Sequence, residues 1–267
     1  MPSWNSDQYL KFAEERTRPC HDLVGRILVE RARRIVDLGC GPGNSTEVLA
    51  KRWPDAEISG VDNAAAMINT ARRDYPQHQW IESEIVAWVN TEARLFDVVF
   101  SNAALQWVPN HETTIPSLLA RAAPGGVLAF QVPANFDAPA HCLMRSMASS
   151  SAWLGQFPSG SVREWHVHDS SFYYDLLAPH CSRMDVWDTE YLQILPDAAS
   201  IVEWYRGSGL RPFLDALPSD AARDRFTAEY TEGIRELYPP RSDGRILFPF
   251  LRRFVIAYKT HAITPLT

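Results

Sequence analysis

The chain has 267 residues, 46% of them hydrophobic and 22% charged, and carries a net charge of −6. Such a chain is long enough for a sizeable core, and its acidic balance lacks the basic footprint of a nucleic-acid binder. No apolar run approaches a membrane span, residues 1–10 lack a signal-peptide core, and Cys20, Cys40, Cys142 and Cys181 show neither metal nor disulfide spacing. A reduced cytoplasmic protein without a metal is expected.

Taken in chain order, residues 7–29 carry apolar side chains at helical spacing (Tyr9, Leu10, Phe12, then Leu23, Val24, Ile27, Leu28), and Pro19 predicts the start of a second helix between the two groups. A strand is predicted at 34–38 and a helix at 44–52. Strands follow at 57–61, 79–82, 96–101 and 127–132. Helices are predicted at 64–74 and 112–122, the latter broken by the Pro-Gly-Gly turn at 124–126. This alternation predicts a mostly parallel sheet. After Val132 the rhythm fails, and 133–179 reads as short helical pieces and polar turns. Residues 183–193 read as a sixth strand, 198–206, 210–216 and 219–237 as helices, and 252–259 as a last strand. A single α/β domain over 1–267 is expected. Its core would lie at about 30–133, 181–193 and 250–260, and its cap would come from 1–29, 134–180 and 196–248. The nine tryptophans suit a ring-lined pocket or, more plainly, a core.

The most informative stretch is Ile35 to Thr46 (Ile-Val-Asp-Leu-Gly-Cys-Gly-Pro-Gly-Asn-Ser-Thr). A strand ends in an acid, Asp37, and Gly39, Gly41 and Gly43 follow at alternate positions. Glycines let the backbone pass close under a ligand and take turns that a side chain forbids. A dinucleotide fingerprint needs its third glycine where Asn44 stands, so no pyrophosphate site is implied. Asp62, at the end of the second strand, is placed to accept both hydroxyls of a ribose, or to cap the helix that follows. After the fourth strand stands Ser101-Asn102-Ala103-Ala104.

The glycine loop resembles that of S-adenosylmethionine-dependent methyltransferases of the Rossmann-like class I. Over nearly its whole length the chain is similar to the bacterial trans-aconitate methyltransferase family. The similarity runs through Tyr9-Leu10-Lys11-Phe12, Arg16-Thr17-Arg18-Pro19, residues 37–46 and 102–109, Ser200-Ile201-Val202-Glu203-Trp204, Gly209-Leu210-Arg211-Pro212, and Tyr238-Pro239-Pro240 with Asp243-Gly244-Arg245. One departure is visible. The family's tail carries a base just before a Phe-Pro-Arg, whereas here the neighbourhood reads Phe248-Pro249-Phe250-Leu251-Arg252-Arg253.

The resemblance implies a seven-stranded sheet in the order 3-2-1-4-5-7-6 with helical cap insertions. It implies S-adenosylmethionine as methyl donor and trans-aconitate or a related polycarboxylate as acceptor. Glu84 would take the adenine amino group, with Glu82 as its competitor, and the Ile85 amide would face the ring. Ser101 and Asn102 would face the methionine portion. Arg16 would pair with the donor carboxylate or remain a solvated helix charge. The expected donor site comprises Arg16, Asp37, Gly39, Cys40, Gly41, Asn44, Asp62, Asn63, Glu84, Ile85, Ser101, Asn102 and Trp107. The expected acceptor contacts are Tyr9, Trp107, Arg211, Tyr238 and Arg245, with Arg241 and Arg252 as further guanidinium candidates. His111 and His141 receive no role. An acceptor carboxylic acid, with an ordinary pKa near ~4, is already ionised at neutral pH, so no catalytic base is expected. Two alternatives stay open: another small carboxyl or hydroxyl acceptor, and a non-catalytic donor-binding module.

Overall fold

The computed structural model describes residues 13–153, 155–158, 160, 162 and 164–261, with side chains from residue 17 onward. Tyr9 and Phe12 lie outside the described residues, as does the side chain of Arg16. The chain forms two compact units. The first comprises 13–133, 165–189 and 252 onward; the described part of the second comprises 134–164 and 190–251. Helix α1 and residues 165–180, expected in the cap, group with the sheet.

The sheet unit begins with α1 (Ala13–Arg26). Then β1 (Arg34–Leu38), α2 (Asn44–Arg52), β2 (Glu57–Asp62), α3 (Ala65–Asp74), β3 (Gln79–Glu82), α4 (Ile85–Thr91), β4 (Phe96–Asn102), α5 (His111–Ala120) and β5 (Ala122–Pro133) alternate. Strands β1 to β5 pair in parallel. After α6 (Pro139–Ala148) in the second unit and α7 (Ser170–Leu177) in the first, the chain enters β6 (Cys181–Leu195). It leaves the second unit through β7 (Ile246–Lys259), which is antiparallel to β5. The sheet order is 3-2-1-4-5-7-6, as the resemblance implied.

Strands β1, β4 and β5 are near-continuous apolar runs because helices cover both faces of a parallel sheet. Val36, Leu38, Val99, Leu128 and Phe130 are all buried there. In β2, Gly60 is required by close approach: a Cβ would lie 2.4 Å from the Trp80 ring. The C-terminal ends of β1 to β4 share one edge of the sheet. The loops after them, around Gly39–Gly43, Asn63, Glu84 and Ala103, therefore gather at that edge, where such folds bind ligands.

Several elements differ from the sequence reading; β5 begins at Ala122, not 127, so the Pro-Gly-Gly at 124–126 lies within the strand. Pro19 lies inside a single helix, α1, instead of starting a second one. Burial of Cys20, Leu23, Val24 and Ile27 beyond it outweighs a penalty of about 3 kcal/mol for an interior proline. Helix α4 was missing from the expectation. Its seven residues, Ile-Val-Ala-Trp-Val-Asn-Thr, are too short and too apolar for a helical period, and burial of Ile85, Trp88 and Val89 stabilises it. Strand β7 begins at Ile246, not 252.

The second unit holds α6, α8 (Ala198–Arg206), α9 (Arg211–Ala216) and α10 (Asp220–Leu237) around an aromatic core with Trp153, Trp204, Tyr205, Phe226, Tyr230 and Phe248. Side-chain caps start α8 and α10: Asp197 accepts from Ser200 N at 2.8 Å, and Ser219 Oγ accepts from Ala222 N at 3.2 Å. Trp53, Trp80, Trp88, Trp153 and Trp204 are core residues, which accounts for much of the tryptophan content. Among the described residues no helix is long and apolar enough to cross a membrane.

Candidate active site

The glycine loop is held down on the end of β2. Gly39 N and Cys40 N both donate to Val61 O, at 2.7 and 3.1 Å. Gly39 has φ +74°, and a Cβ on it would stand 2.0 Å from Ala104 Cβ on the loop after β4. Gly41 also has positive φ, but a Cβ there would meet nothing within 4 Å. The backbone is thus closed tightly on one side and open on the other. Gly43, with φ +101°, is the N-cap of α2, so Asn44 is the first helical residue.

Asp37 lies beneath this loop, fully buried. Its Oδ2 accepts from Ser45 Oγ at 2.6 Å and Thr46 Oγ1 at 2.7 Å, while Oδ1 has no hydrogen-bond partner among the described residues. A carboxylate therefore occupies the N-terminal end of α2, where a dinucleotide fold would hold pyrophosphate, and it would repel one. Asp37 ties the first turn of α2 to β1; it does not line the open side of the loop.

Burial pushes the Asp37 carboxyl up from 3.8 to about 6, against the opposing bonds from Ser45 and Thr46. The folded state then binds the proton more tightly than the unfolded chain. Stability from this group is full below the unfolded pKa and declines as pH rises from about 4 to about 6. Asp37→Asn should remove that decline. Urea unfolding of both proteins across this range tests it, and an unchanged slope would show that another group titrates.

Asp62 is the second carboxylate. Its Oδ2 accepts from Gly41 N and its Oδ1 from Ala64 N, each at 2.9 Å. The N-cap of α3 is Ala64, and Asp62 holds the N–H of that residue without being the N-cap itself. Each oxygen keeps a second lone pair. Burial raises the Asp62 pKa, opposed by these two N–H groups. Glu84, the third carboxylate, is the N-cap of α4, which leaves Ile85 N as an unpaid-for helix-start donor. Glu84 Oε1 accepts from Asn63 Nδ2 at 2.8 Å. Asp37, Asp62 and Glu84 give the edge an acidic field suited to a cationic ligand.

The loop after β4 completes the edge. Ser101 is buried, and its hydroxyl donates to Leu38 O at 2.8 Å, so only its backbone remains for a ligand. Ala103 holds φ +57°, unusual for a residue with a side chain. Gln106 Nε2 donates to Ala103 O at 2.7 Å and steadies that turn. Trp107 packs edge-on to Trp165, with ring centroids 5.6 Å apart. His111 is buried behind the loop: Nε2 faces Leu105 O at 3.0 Å and Nδ1 faces the Tyr173 hydroxyl at 2.9 Å. Burial lowers its pKa, so a neutral ring donates to Leu105 and accepts from Tyr173. His111, without a role in the sequence reading, is a brace for this loop.

The remaining expected residues are placed differently. Arg211 starts α9 and pairs with Asp215 at 3.4 Å. Tyr238 is built into the aromatic core of the second unit, with its hydroxyl accepting from Ala140 N at 3.3 Å. Arg245 lies exposed on the 241–245 turn. Cys40 is buried, with its thiol donating to Gly41 O at 3.6 Å. Gln131 escaped the sequence reading although a lone glutamine in the apolar run 127–132 was a visible signal. It is fully buried and bonds both Asn102 and Arg252.

Comparison with known proteins agrees with this geometry. Residues 12–184 match the family described as "Methyltransferase domain". The trans-aconitate 2-methyltransferase of Azoarcus sp. (strain BH72) is 47% identical over 259 residues, covering 97% of this chain and 100% of that one. Among solved structures, the YcgJ protein of Bacillus subtilis superposes with a TM-score of 0.56 at 10% identity, covering 92% of this chain and 100% of that one. Phosphoethanolamine N-methyltransferase 2 of Haemonchus contortus, solved with S-adenosyl-L-methionine, gives a TM-score of 0.53 at 14% identity over 91% of this chain and 53% of that one. These structures share the fold; the sequence match sets the family, and the chain belongs to the trans-aconitate 2-methyltransferases.

Proposed function

We propose that this enzyme transfers the methyl group of S-adenosylmethionine to a carboxylate of trans-aconitate, giving a monomethyl ester and S-adenosylhomocysteine. The observation that carries the donor site is Asp62. Its carboxylate is fixed by Gly41 N and Ala64 N at the sheet edge, beside the open side of Gly41. In this reading Asp62 accepts the ribose hydroxyls, Glu84 and the Ile85 amide hold adenine, and the backbone of Gly39, Ser101 and Asn102 runs along the methionine portion. Trp107 adds an apolar wall on the acceptor side.

The chemistry needs little from the protein beyond alignment. A carboxylate oxygen attacks the methyl carbon, the carbon–sulfur bond breaks, and its electron pair stays on sulfur. One negative and one positive charge disappear together, and no proton moves. Proximity, in-line orientation and exclusion of water then supply the rate.

The test is S-adenosylhomocysteine release with trans-aconitate, cis-aconitate, citrate, isocitrate, itaconate and a long-chain fatty acid. Fastest turnover with trans-aconitate is expected. Donor binding without turnover on any of them would overturn the assignment.

A further inference from the structure

We propose that Arg252 is a positioning residue that acts through Gln131 to fix which end of the Asn102 carboxamide faces the acceptor. This rests on the proposed function, in which Asn102 runs along the methionine portion that carries the reacting methyl group. Asn102 and Gln131 are register partners at the ends of β4 and β5, and Arg252 stands on β7 opposite Pro133. Arg252 Nη1 lies 3.2 Å from Gln131 Oε1, and Gln131 Nε2 lies 2.7 Å from Asn102 Oδ1.

The orientation follows from donor chemistry. A guanidinium has donors only, so the Gln131 atom beside it must be the oxygen. The Gln131 nitrogen then faces Asn102 and must find an acceptor there, which turns the Asn102 oxygen inward. What Asn102 presents outward is its NH₂ group, whose hydrogens no protein acceptor takes among the described residues. Gln131 is fully buried and Arg252 is 5% exposed, so water cannot readily reverse either end of the chain.

This arrangement has a consequence for the acceptor. An asparagine facing a sulfonium alone would turn its oxygen, the negative end of the amide, toward the positive charge. The link to Arg252 holds it the other way and directs an N–H at the acceptor. An anionic oxygen is favoured by that N–H, whereas an amine nucleophile, which must offer a lone pair and shed a proton, gains no base from it. Arg252 thus selects for a carboxylate without touching it.

Gln131→Glu tests the idea with almost no change in shape. A carboxylate at 131 accepts from Arg252 and from the Asn102 NH₂, which turns the Asn102 oxygen toward the acceptor. The KM for trans-aconitate should rise at least about tenfold, the effect of losing one hydrogen bond to a charged group. Affinity for S-adenosylhomocysteine, measured by calorimetry, should stay within about twofold. If the variant does not fold, Arg252→Gln, which can offer Gln131 either an oxygen or an NH₂ and so no longer fixes its orientation, should raise the KM with the same sparing of donor affinity. An unchanged KM in the folded variant, or equal losses of donor and acceptor affinity, would overturn the positioning role while leaving the function intact. Wild-type protein that binds S-adenosylhomocysteine but methylates no acid would overturn the proposed function, and this inference with it.

Discussion

Gly39→Ala should be among the most damaging single substitutions in the sheet unit, costing about 2–5 kcal/mol of stability. Two effects add. A residue with a side chain at φ +74° carries a penalty of roughly 1–2 kcal/mol. Its Cβ would also sit 2.0 Å from Ala104 Cβ, and relieving such overpacking costs about 1–3 kcal/mol. Neither atom belongs to a flexible side chain, so the loop after β4 would have to move, and with it the strained turn at Ala103. Gly41→Ala is the control. The backbone penalty is similar, but the added methyl meets nothing within 4 Å. It should therefore melt well above Gly39→Ala, yet lose donor affinity, because the methyl occupies the open side of the loop. Thermal unfolding and calorimetry with S-adenosylhomocysteine separate the two. Equal melting temperatures for wild type and Gly39→Ala would refute the packing account.

Asp62→Ala should weaken S-adenosylhomocysteine binding by at least about 2 kcal/mol, roughly 30-fold, the scale of hydrogen bonds to a charged group. The loss has two sources. In the proposed site the ribose hydroxyls lose their acceptor, and Gly41 N and Ala64 N lose the oxygens that hold them. Asp62→Asn should fall between wild type and Asp62→Ala. Its one oxygen can serve either amide, but its NH₂ must then face the other N–H. Donor affinity unchanged in Asp62→Ala would remove this carboxylate from the site and take the main support for the donor position with it.

The parts of the proposed donor edge were legible in the sequence because each of them is local. A strand end, an acid and a glycine or helix start lie within a few residues of one another at Asp37, Asp62 and Glu84, and strand alternation places those ends on one edge. The bracing behind the edge was not legible. Asn102 depends on Gln131, 29 residues on, and Gln131 on Arg252, 121 residues further. No local pattern carries such a link; only the register of β4, β5 and β7 creates it. His111 was passed over for the same reason, since its partner Tyr173 is 62 residues away. Helix α4 was lost because five consecutive apolar residues followed by Asn-Thr have no helical period to read. Tyr238 and Arg245 were selected by motif. The structure shows that one is held in a core and the other exposed on a turn, which motif matching cannot distinguish.

The sheet is finished by its last strand. β7 pairs with β5, aligning Val127 with Tyr258 and Val132 with Arg253, and most of the second unit's helices are encoded between β6 and β7. During synthesis the ribosome must therefore make α8, α9 and α10 before the β5 edge can be covered. Until then the nascent sheet presents Val127 to Val132 with open backbone groups, a template for pairing with another chain. Contacts so distant in sequence also fold late, because the intervening loop must close before they form. Expression at a temperature that slows aggregation, or chaperone capacity during translation, should matter more for this protein than its final stability would suggest.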